Sequence, residues 1–312
     1  MSKIEISQFE LVGANATESE SISRPSTSYW RDAMKRLSKN KAAMFCAAII
    51  IIITLSSIII PMVSPYGFSE QHLTHTYASM GFKDPVDGHT HLFGTDTLGR
   101  DIFTRIWSGG RISLFISFTA VFINFVVGVI YGGVAGYLGG SVDNVMMRII
   151  EIINGIPYLI IVVLLMMVLP PGVMTMVIAY AAVGWTGMAR LVRGQIMSLK
   201  QQDYVVAAKV MGARPTRIIA KHLLPNTLSV VIVNITLAIP SAIFTEAFLS
   251  YIGLGVPVPL ASWGTLANEG SRVFQMYPSQ LIIPAICISI TMLSFNLLGD
   301  GLRDALDPKL RR

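Results

Sequence analysis

The sequence predicts an all-α membrane protein of six transmembrane helices with both termini in the cytoplasm. Three observations carry that reading. First, 53% of the 312 residues are hydrophobic and only 13% are charged, about half the charge expected of a soluble domain, and the mean hydropathy is +0.60. Second, the charges fall in clusters separated by apolar gaps, several of them longer than the ~20 helical residues needed to cross a hydrocarbon layer of about 30 Å. Third, Lys and Arg divide unequally between alternate loops, the pattern that fixes orientation in a membrane. The same composition excludes a disordered chain, which is poor in apolar residues and rich in charge.

Residues 1–28, rich in Ser and Glu with few aromatics, read as a flexible cytoplasmic tail. Trp30, Ala33, Met34 and Leu37 then recur at helical spacing opposite Arg31, Lys35, Arg36 and Lys39. Such a short basic amphipathic helix suits the surface of an anionic membrane. Spans are expected near 43–63, 113–137, 153–169, 173–190, 228–246 and 279–298. Most fill one charge-free gap each, such as Lys41 to Glu70 or Arg272 to Asp300. The gap from Glu151 to Arg190 is long enough for two spans and divides at Pro170-Pro171-Gly172, which turns a chain but cannot continue a helix. The gap after Glu246 holds Gly253, Gly255, Pro257, Pro259, Ser262, Trp263 and Gly264, and reads as irregular backbone. The first span lies too deep for a cleaved signal peptide. Cys46 and Cys287 sit inside apolar runs, so neither a disulfide framework nor a cysteine zinc site is expected.

Six spans place both termini on one side, together with Arg148 and the basic loop 190–221. The other side keeps only Lys83, Arg100, Arg105, Arg111 and Arg272 of the 24 basic residues. The net charge of +6 is thus topogenic and lipid-directed, and calls for no nucleic-acid partner. The chain divides into a tail and amphipathic helix (1–41), a first span with its outer loop (42–110), and a core (111–312).

The segment 190–226 is the longest interior connection between spans and reads as two helices around a corner. Asp203 is placed to cap a helix over Tyr204–Met211, Gly212 to stop it in a left-handed conformation, and Pro215 to open a second helix, Thr216–Leu223. That second helix carries Arg217 and Lys221, and Pro225-Asn226 starts the fifth span. Small residues Ala207, Ala208, Gly212 and Ala213 permit close approach by another surface. Residue types alone leave open whether the corner rests on the membrane or docks a partner.

The string Val206-Ala207-Ala208, with Gly212 four positions after Ala208 and Leu224-Pro225 beyond, resembles the EAA loop of binding-protein-dependent ABC importer permeases. Val206 stands where the family pattern has Glu, and His222 where it has Ile. Asp203 to Asn226 is similar to the version of this loop in the oligopeptide/dipeptide/nickel branch. Three further strings resemble the same branch in the same order. They are His91–Asp101 followed by Arg105 and Arg111–Leu114; Glu246–Gly255 with Ser262-Trp263-Gly264; and Asn296–Pro308. The resemblance covers about residues 29–312.

It implies a type I ABC importer permease fold in a bacterial or archaeal plasma membrane. The corner would be an ATPase-coupling element, with Asp203, Val206, Ala207, Ala208, Gly212, Ala213, Arg217, Lys221, Leu224 and Pro225 as its residues. The other motifs mark Asp96, Gly99, Arg100, Asp101, Glu246, Gly253, Gly255 and Trp263 as structural or gating positions. Implied partners are a second homologous permease, two cytoplasmic ATPase subunits that use ATP and Mg, and an extracytoplasmic substrate-binding protein. The implied cargo is oligopeptide, with dipeptide or a nickel chelate as the alternatives. No catalytic residue and no bound cofactor are expected in this chain, and no Gly-x-x-x-x-Gly-Lys phosphate loop occurs in it.

Asp96, Arg100 and Asp101 are expected to form caps and ion pairs that fix the outer loop over the second span. Glu246, at the end of the expected fifth span, has three readings: a solvated interface group, an anchor for the segment 250–264, or a gate. The outer loop holds Tyr66, Phe68, His72, His75, Tyr77, His89 and His91. No cysteine or paired carboxylates complete a recognisable ligand set around these histidines, so no metal site is expected. A self-contained ion-driven transporter would want ionisable groups along the spans, which carry none apart from Glu246. A membrane-embedded enzyme would want a clustered nucleophile or acid–base set there, and all five histidines lie outside the expected spans.

Overall fold

The computed structural model describes residues 29–85 and 88–307; the tail expected over 1–28 lies outside the described residues. The helices are α1 (Tyr29–Lys39), α2 (Lys41–Val63), α3 (Ile102–Leu138), α4 (Gly140–Gly155), α5 (Tyr158–Val168), α6 (Val173–Leu199), α7 (Asp203–Val210), α8 (Pro215–Ile218), α9 (Leu224–Leu249), α10 (Trp263–Arg272) and α11 (Ser279–Leu306). Among the described residues five helical stretches are long and apolar enough to cross a membrane, and the bent pair α4–α5 meets the same measure only when its two helices are taken together. Between α2 and α3, two short strands, β1 (Phe82–Lys83) and β2 (Thr90–His91), pair antiparallel with Phe82 opposite His91.

The amphipathic α1 is present as expected. Ala33 is buried, while Trp30 and Met34 are exposed on a side of the helix suited to lipid. A Cβ on Gly301 of α11 would lie 3.6 Å from Leu37 Cδ1, and the N-terminal helix packs beside the last span. The Asn40 side chain caps α2 by accepting from the Ala43 N–H at 3.1 Å. Cys46 and Cys287 are both free thiols.

Four expectations need correction. The third span is not one straight helix over 153–169: the chain bends by 81° between α4 and α5. Pro157 has no N–H to give and disfavours helix at Ile156, which is extended (φ −94°, ψ 128°). The 11-residue α5, about 16 Å long, does not cross the hydrocarbon alone. The second span begins at Ile102 rather than near 113 and runs for 37 residues, because Asp101 caps it and protein partners neutralise Arg105. The fifth span does not start afresh at Pro225. Pro215–Leu254 is one 40-residue helical run, and a π turn at Ile219–Leu223 carries it into α9. Finally, the segment after Glu246 is only partly irregular. Its Ser262 caps α10 through a capping box with Thr265: the Thr265 N–H donates to Ser262 Oγ at 3.3 Å and the Ser262 N–H to Thr265 Oγ1 at 2.7 Å.

The most extensive helix–helix contact among the described residues joins α3 to α6. Helices in lipid gain little by hiding apolar side chains from one another, so tight pairs rely on small residues that let backbones meet. Gly128, Gly132 and Gly136 recur every four residues along α3 and face α6. A Cβ on Gly132 would fall on the Ala189 carbonyl oxygen, and one on Gly136 would lie 2.8 Å from that of Arg193.

This packing has a direct test. Gly132→Val should cost about 1–3 kcal/mol through overpacking, read as a lower thermal unfolding midpoint in detergent. Gly187→Ala, a mid-helix glycine whose Cβ would meet nothing within 4 Å, should leave the midpoint unchanged or raise it.

Candidate functional site

The corner at 199–225 is built by local chemistry. The helix α7 ends in a Schellman motif: the Ala213 N–H donates to the Ala208 carbonyl at 3.0 Å and the Gly212 N–H to that of Lys209 at 2.9 Å. Gly212 takes φ +80°, which explains the glycine without any steric neighbour. Pro215 opens α8 at its first position, as expected. Asp203 does not cap: Gln202 occupies the N-cap without a side-chain bond, and Asp203 is an exposed first-turn residue, where its charge complements the helix dipole.

The corner has two faces. Inward, Val205 and Ala208 join a buried apolar cluster with Met188, Val192 and Ile196 of α6, Ile218 of α8, and Leu223 and Val231 of the fifth span. Lys209 Nζ sits 5.4 Å above the Tyr137 ring at the end of α3, and Lys200 Nζ donates to the Gly136 carbonyl at 2.8 Å. Outward, Val206 and Ala207 are exposed, and beside them Val210 and Met211 are 83% and 80% exposed. Gly212, Arg217, Lys221 and Pro225 are exposed too, with Ala213 and Leu224 half-buried. The sequence reading passed over Val210 and Met211, although Val206 and Val210 are one helical turn apart and mark the outer stripe.

At the opposite end of the bundle the motif residues converge on a buried polar lock. Asp101 caps α3, its Oδ2 accepting from the Thr104 N–H and hydroxyl, each at 2.7 Å. Its Oδ1 takes a bond of 2.9 Å from His91 Nδ1. Asp96 accepts from the Arg100 N–H at 3.0 Å and from Arg100 Nε at 2.7 Å, and it also pairs with Arg105. Arg105, 1% exposed, makes a bidentate pair with Glu269 of α10 at 2.7 and 3.1 Å. The expectation of caps and ion pairs over the second span is met, and the structure adds Arg105 and Glu269. Gly99 is required by contact: it takes φ +71°, and a Cβ there would overlap the His72 carbonyl.

Glu246 is buried, 2% exposed, not solvated at an interface as one expectation had it. Its helix runs on to Leu249, and α10 folds back over it. Its carboxylate accepts from Ser113 Oγ at 2.7 Å and Ser250 Oγ at 2.8 Å, and Ser262 Oγ donates to Ser250 Oγ at 3.2 Å. Ser113 Oγ in turn accepts from the Trp263 N–H at 3.1 Å. The Trp263 indole is fully buried and donates to the Ile106 carbonyl at 2.9 Å. Gly253 lies at φ +93° in a π turn over Ser250–Leu254, and Gly255 follows it against Ser250. Glu246 thus bonds Ser250 at the head of the segment 250–264, the contact that its reading as an anchor requires.

The outer-loop histidines are not merely exposed. His91 is buried, its ring stacked on Tyr66 with centroids 4.1 Å apart. His72, His75 and Asp84 bring ligand atoms within 4.8 Å of one another. The ligand set missing from the sequence reading is completed by Asp84, which the β1–β2 hairpin carries to the histidines.

Comparison with known proteins gives a consistent result. Residues 124–312 match the family model described as "Binding-protein-dependent transport system inner membrane component", and residues 28–81 match the N-terminal TM domain of oligopeptide transport permease C. The chain is 49% identical to the oligopeptide transport system permease protein OppC of Bacillus subtilis, covering 100% of both chains. It is 50% identical to the dipeptide transport system permease protein DppC of the same organism, over 95% of this chain and 90% of that one. Among solved structures, the inward-facing MetNI methionine ABC transporter matches with a TM-score of 0.52 at 20% identity, over 66% of this chain and 96% of that one.

The polar lock predicts an ordering of variants. Arg105→Met removes one of the two guanidinium partners of the buried Asp96 carboxylate and should cost about 1.5–3 kcal/mol, the range for hydrogen bonds to charged groups. Glu269→Gln acts at a half-exposed site and should cost far less. Unfolding midpoints of the two variants in detergent check this; equal, small losses would dismiss the lock.

Proposed function

The chain belongs to the family of binding-protein-dependent transport system inner-membrane components, and from that premise we propose that it is the permease subunit of an ATP-driven importer of oligopeptides. It is a multi-pass protein of the bacterial plasma membrane. Both termini lie in the cytoplasm in this reading, since Lys35, Lys39, Arg148, Arg217, Lys221 and Arg303 share one end of the bundle. Dipeptides are the second reading, favoured by the near-equal identity to oligopeptide and dipeptide permeases. The chain itself holds no nucleotide and no cofactor; ATP and Mg act on two partner ATPase subunits.

The observation that carries the coupling role is the two-faced corner. An element meant to pass force must be rigid toward the spans and adhesive toward the motor. Val205 and Ala208 bind α7 to the ends of α6, α8 and the fifth span, while Val206, Val210 and Met211 offer an apolar face that nothing among the described residues covers. When the ATPase subunits close, displacement of α7 rocks these spans together, a hinge or shear motion. No residue of the corner does chemistry. A groove of about 570 Å³ between α9 and α11, lined by Phe244, Phe248, Tyr251, Met292 and Asn296, is the surface assigned to the path shared with a second permease. A substrate-binding protein delivers cargo at the end that holds the loop 64–101.

Reconstitution with the second permease, the ATPase subunits and the binding protein tests the assignment. Val210→Asp and Gly212→Val should each lower peptide uptake at least about tenfold while the chain still inserts and ATP hydrolysis continues. Normal coupled uptake in both variants would remove the corner from the mechanism. Stimulation of ATPase activity across a panel of peptide lengths decides between oligopeptide and dipeptide.

A further inference from the structure

We propose that the outer loop holds a structural divalent transition-metal site, with zinc as its ion and His72, His75 and Asp84 as its ligands. The three residues come from two segments. His72 is the N-cap and His75 the last residue of a short 3-10 turn over Leu73–His75, and Asp84 follows β1. Their ligand atoms all lie within 4.8 Å of one another. Around a tetrahedral zinc with bonds of about 2.0–2.1 Å, neighbouring ligand atoms are about 3.3 Å apart. His75 Nδ1 and Asp84 Oδ2 already stand at 3.1 Å, and rotation of His72 brings in the third.

Two features favour a metal over a plain ion pair. His75 Nδ1 lies at hydrogen-bond distance from the Asp84 carboxylate without the alignment of a hydrogen bond, and His72 Nε2 is buried with no hydrogen-bond partner. Buried polar atoms are nearly always satisfied, and an ion held between these groups would satisfy His72 Nε2 and His75 Nδ1. The Asp84 side chain is fully buried, whereas the His72 and His75 side chains are 25% and 13% exposed. An ion can therefore enter from solvent, and water or Glu70, whose Oε1 is 3.5 Å from His72 Nε2, stands at the fourth position.

The ligand backbones are fixed before any ion binds. The His75 N–H donates to the His72 carbonyl at 2.8 Å, and the Asp84 N–H to that of His89 at 2.8 Å. Thr95 Oγ1 donates to the His75 carbonyl, and the His72 carbonyl is pressed against Gly99. The donor set, two imidazoles and one carboxylate, suits zinc and its neighbours in the first transition row and suits Mg or Ca poorly. An ion here would clamp the turn at 72–75 to the hairpin, directly above the lock of Asp96, Arg100 and Arg105. The proposal does not depend on the cargo.

The experiment uses the full-length chain purified in detergent without a histidine tag. Metal analysis after growth with zinc should find one zinc per chain in the wild type and in His89→Gln. His75→Gln and Asp84→Asn should retain less than about a tenth of that. Cobalt(II) substitution of the wild type should give the visible d–d bands of a tetrahedral nitrogen/oxygen site, a readout that survives if either variant fails to fold. Wild-type chain without zinc, unchanged zinc in both ligand variants, or cobalt bound without tetrahedral bands would each overturn the proposal.

Discussion

The meeting of α3 and α6 through bare backbone is the constraint on which the other features rest. Apolar side chains are no more comfortable against each other than against lipid, so a tight helix pair needs a surface that admits close approach. Gly128, Gly132 and Gly136 supply it on α3. The pair then behaves as one rod, and α3 alone is about 55 Å long at 37 residues. Its first turns hold Arg105 and Ser113, the hubs of the outer polar network. Its last turn presents the Gly136 carbonyl to Lys200 and the Tyr137 ring to Lys209. The final turns of α6 bring Val192 and Ile196 to the corner helix. The lock at one end and the docking face at the other therefore share a single rigid support.

Polar nodes do what apolar contacts cannot do in lipid, which is to fix register. Each node joins segments far apart in sequence: Asp96 and Arg105 with Glu269, Ser113 with Glu246 and Trp263, and Asp143 with Arg193. Arg105, Asp143 and Trp263 stand at or within one turn of a helix start, where the cost of a charge is lowest. The Arg193 Nη2 bond to Asp143 Oδ2, 2.6 Å long, ties α4 to α6 in the first turn of α4, just after the chain leaves α3 at Gly139. Replacing such nodes with well-packed apolar residues need not lower stability. Their contribution is to make one arrangement of α10 and α4 better than its neighbours.

The fold was legible in the sequence where one physical rule governed a long segment. Charge-free gaps mark α2, α3, α6, α9 and α11, and the capping logic of Gly212 and Pro215 places the corner. Legibility failed where tertiary contact overruled local preference. The apolar run around Pro157 satisfies a span criterion, yet one missing N–H bends it by 81°. Ser262 to Arg272 is too polar and too rich in small residues to announce a helix, and it becomes one because Trp263 finds a fully buried seat. In the site, Asp96 and Arg100 were visible as motif residues, but Glu269 lies more than 160 residues from Arg105 and had no local signature. Asp84 escaped notice for the same reason: a hairpin, not a spacing, carries it to His75.

Seven basic residues between 190 and 221 looked like one topogenic population, and the structure divides them. Arg193, Lys200 and Lys209 turn to partners within the chain, on Asp143, Gly136 and Tyr137. Arg190 remains exposed on α6, and Arg214, Arg217 and Lys221 remain exposed near the apolar face of Val206, Val210 and Met211. Charges at an interface rim chiefly speed encounter and select the partner, whereas buried apolar anchors hold it. A partner matched to this corner therefore has an apolar socket with an acidic border. The inward cations stiffen the corner, and without that stiffness a docked motor would move α7 alone and leave the spans where they were.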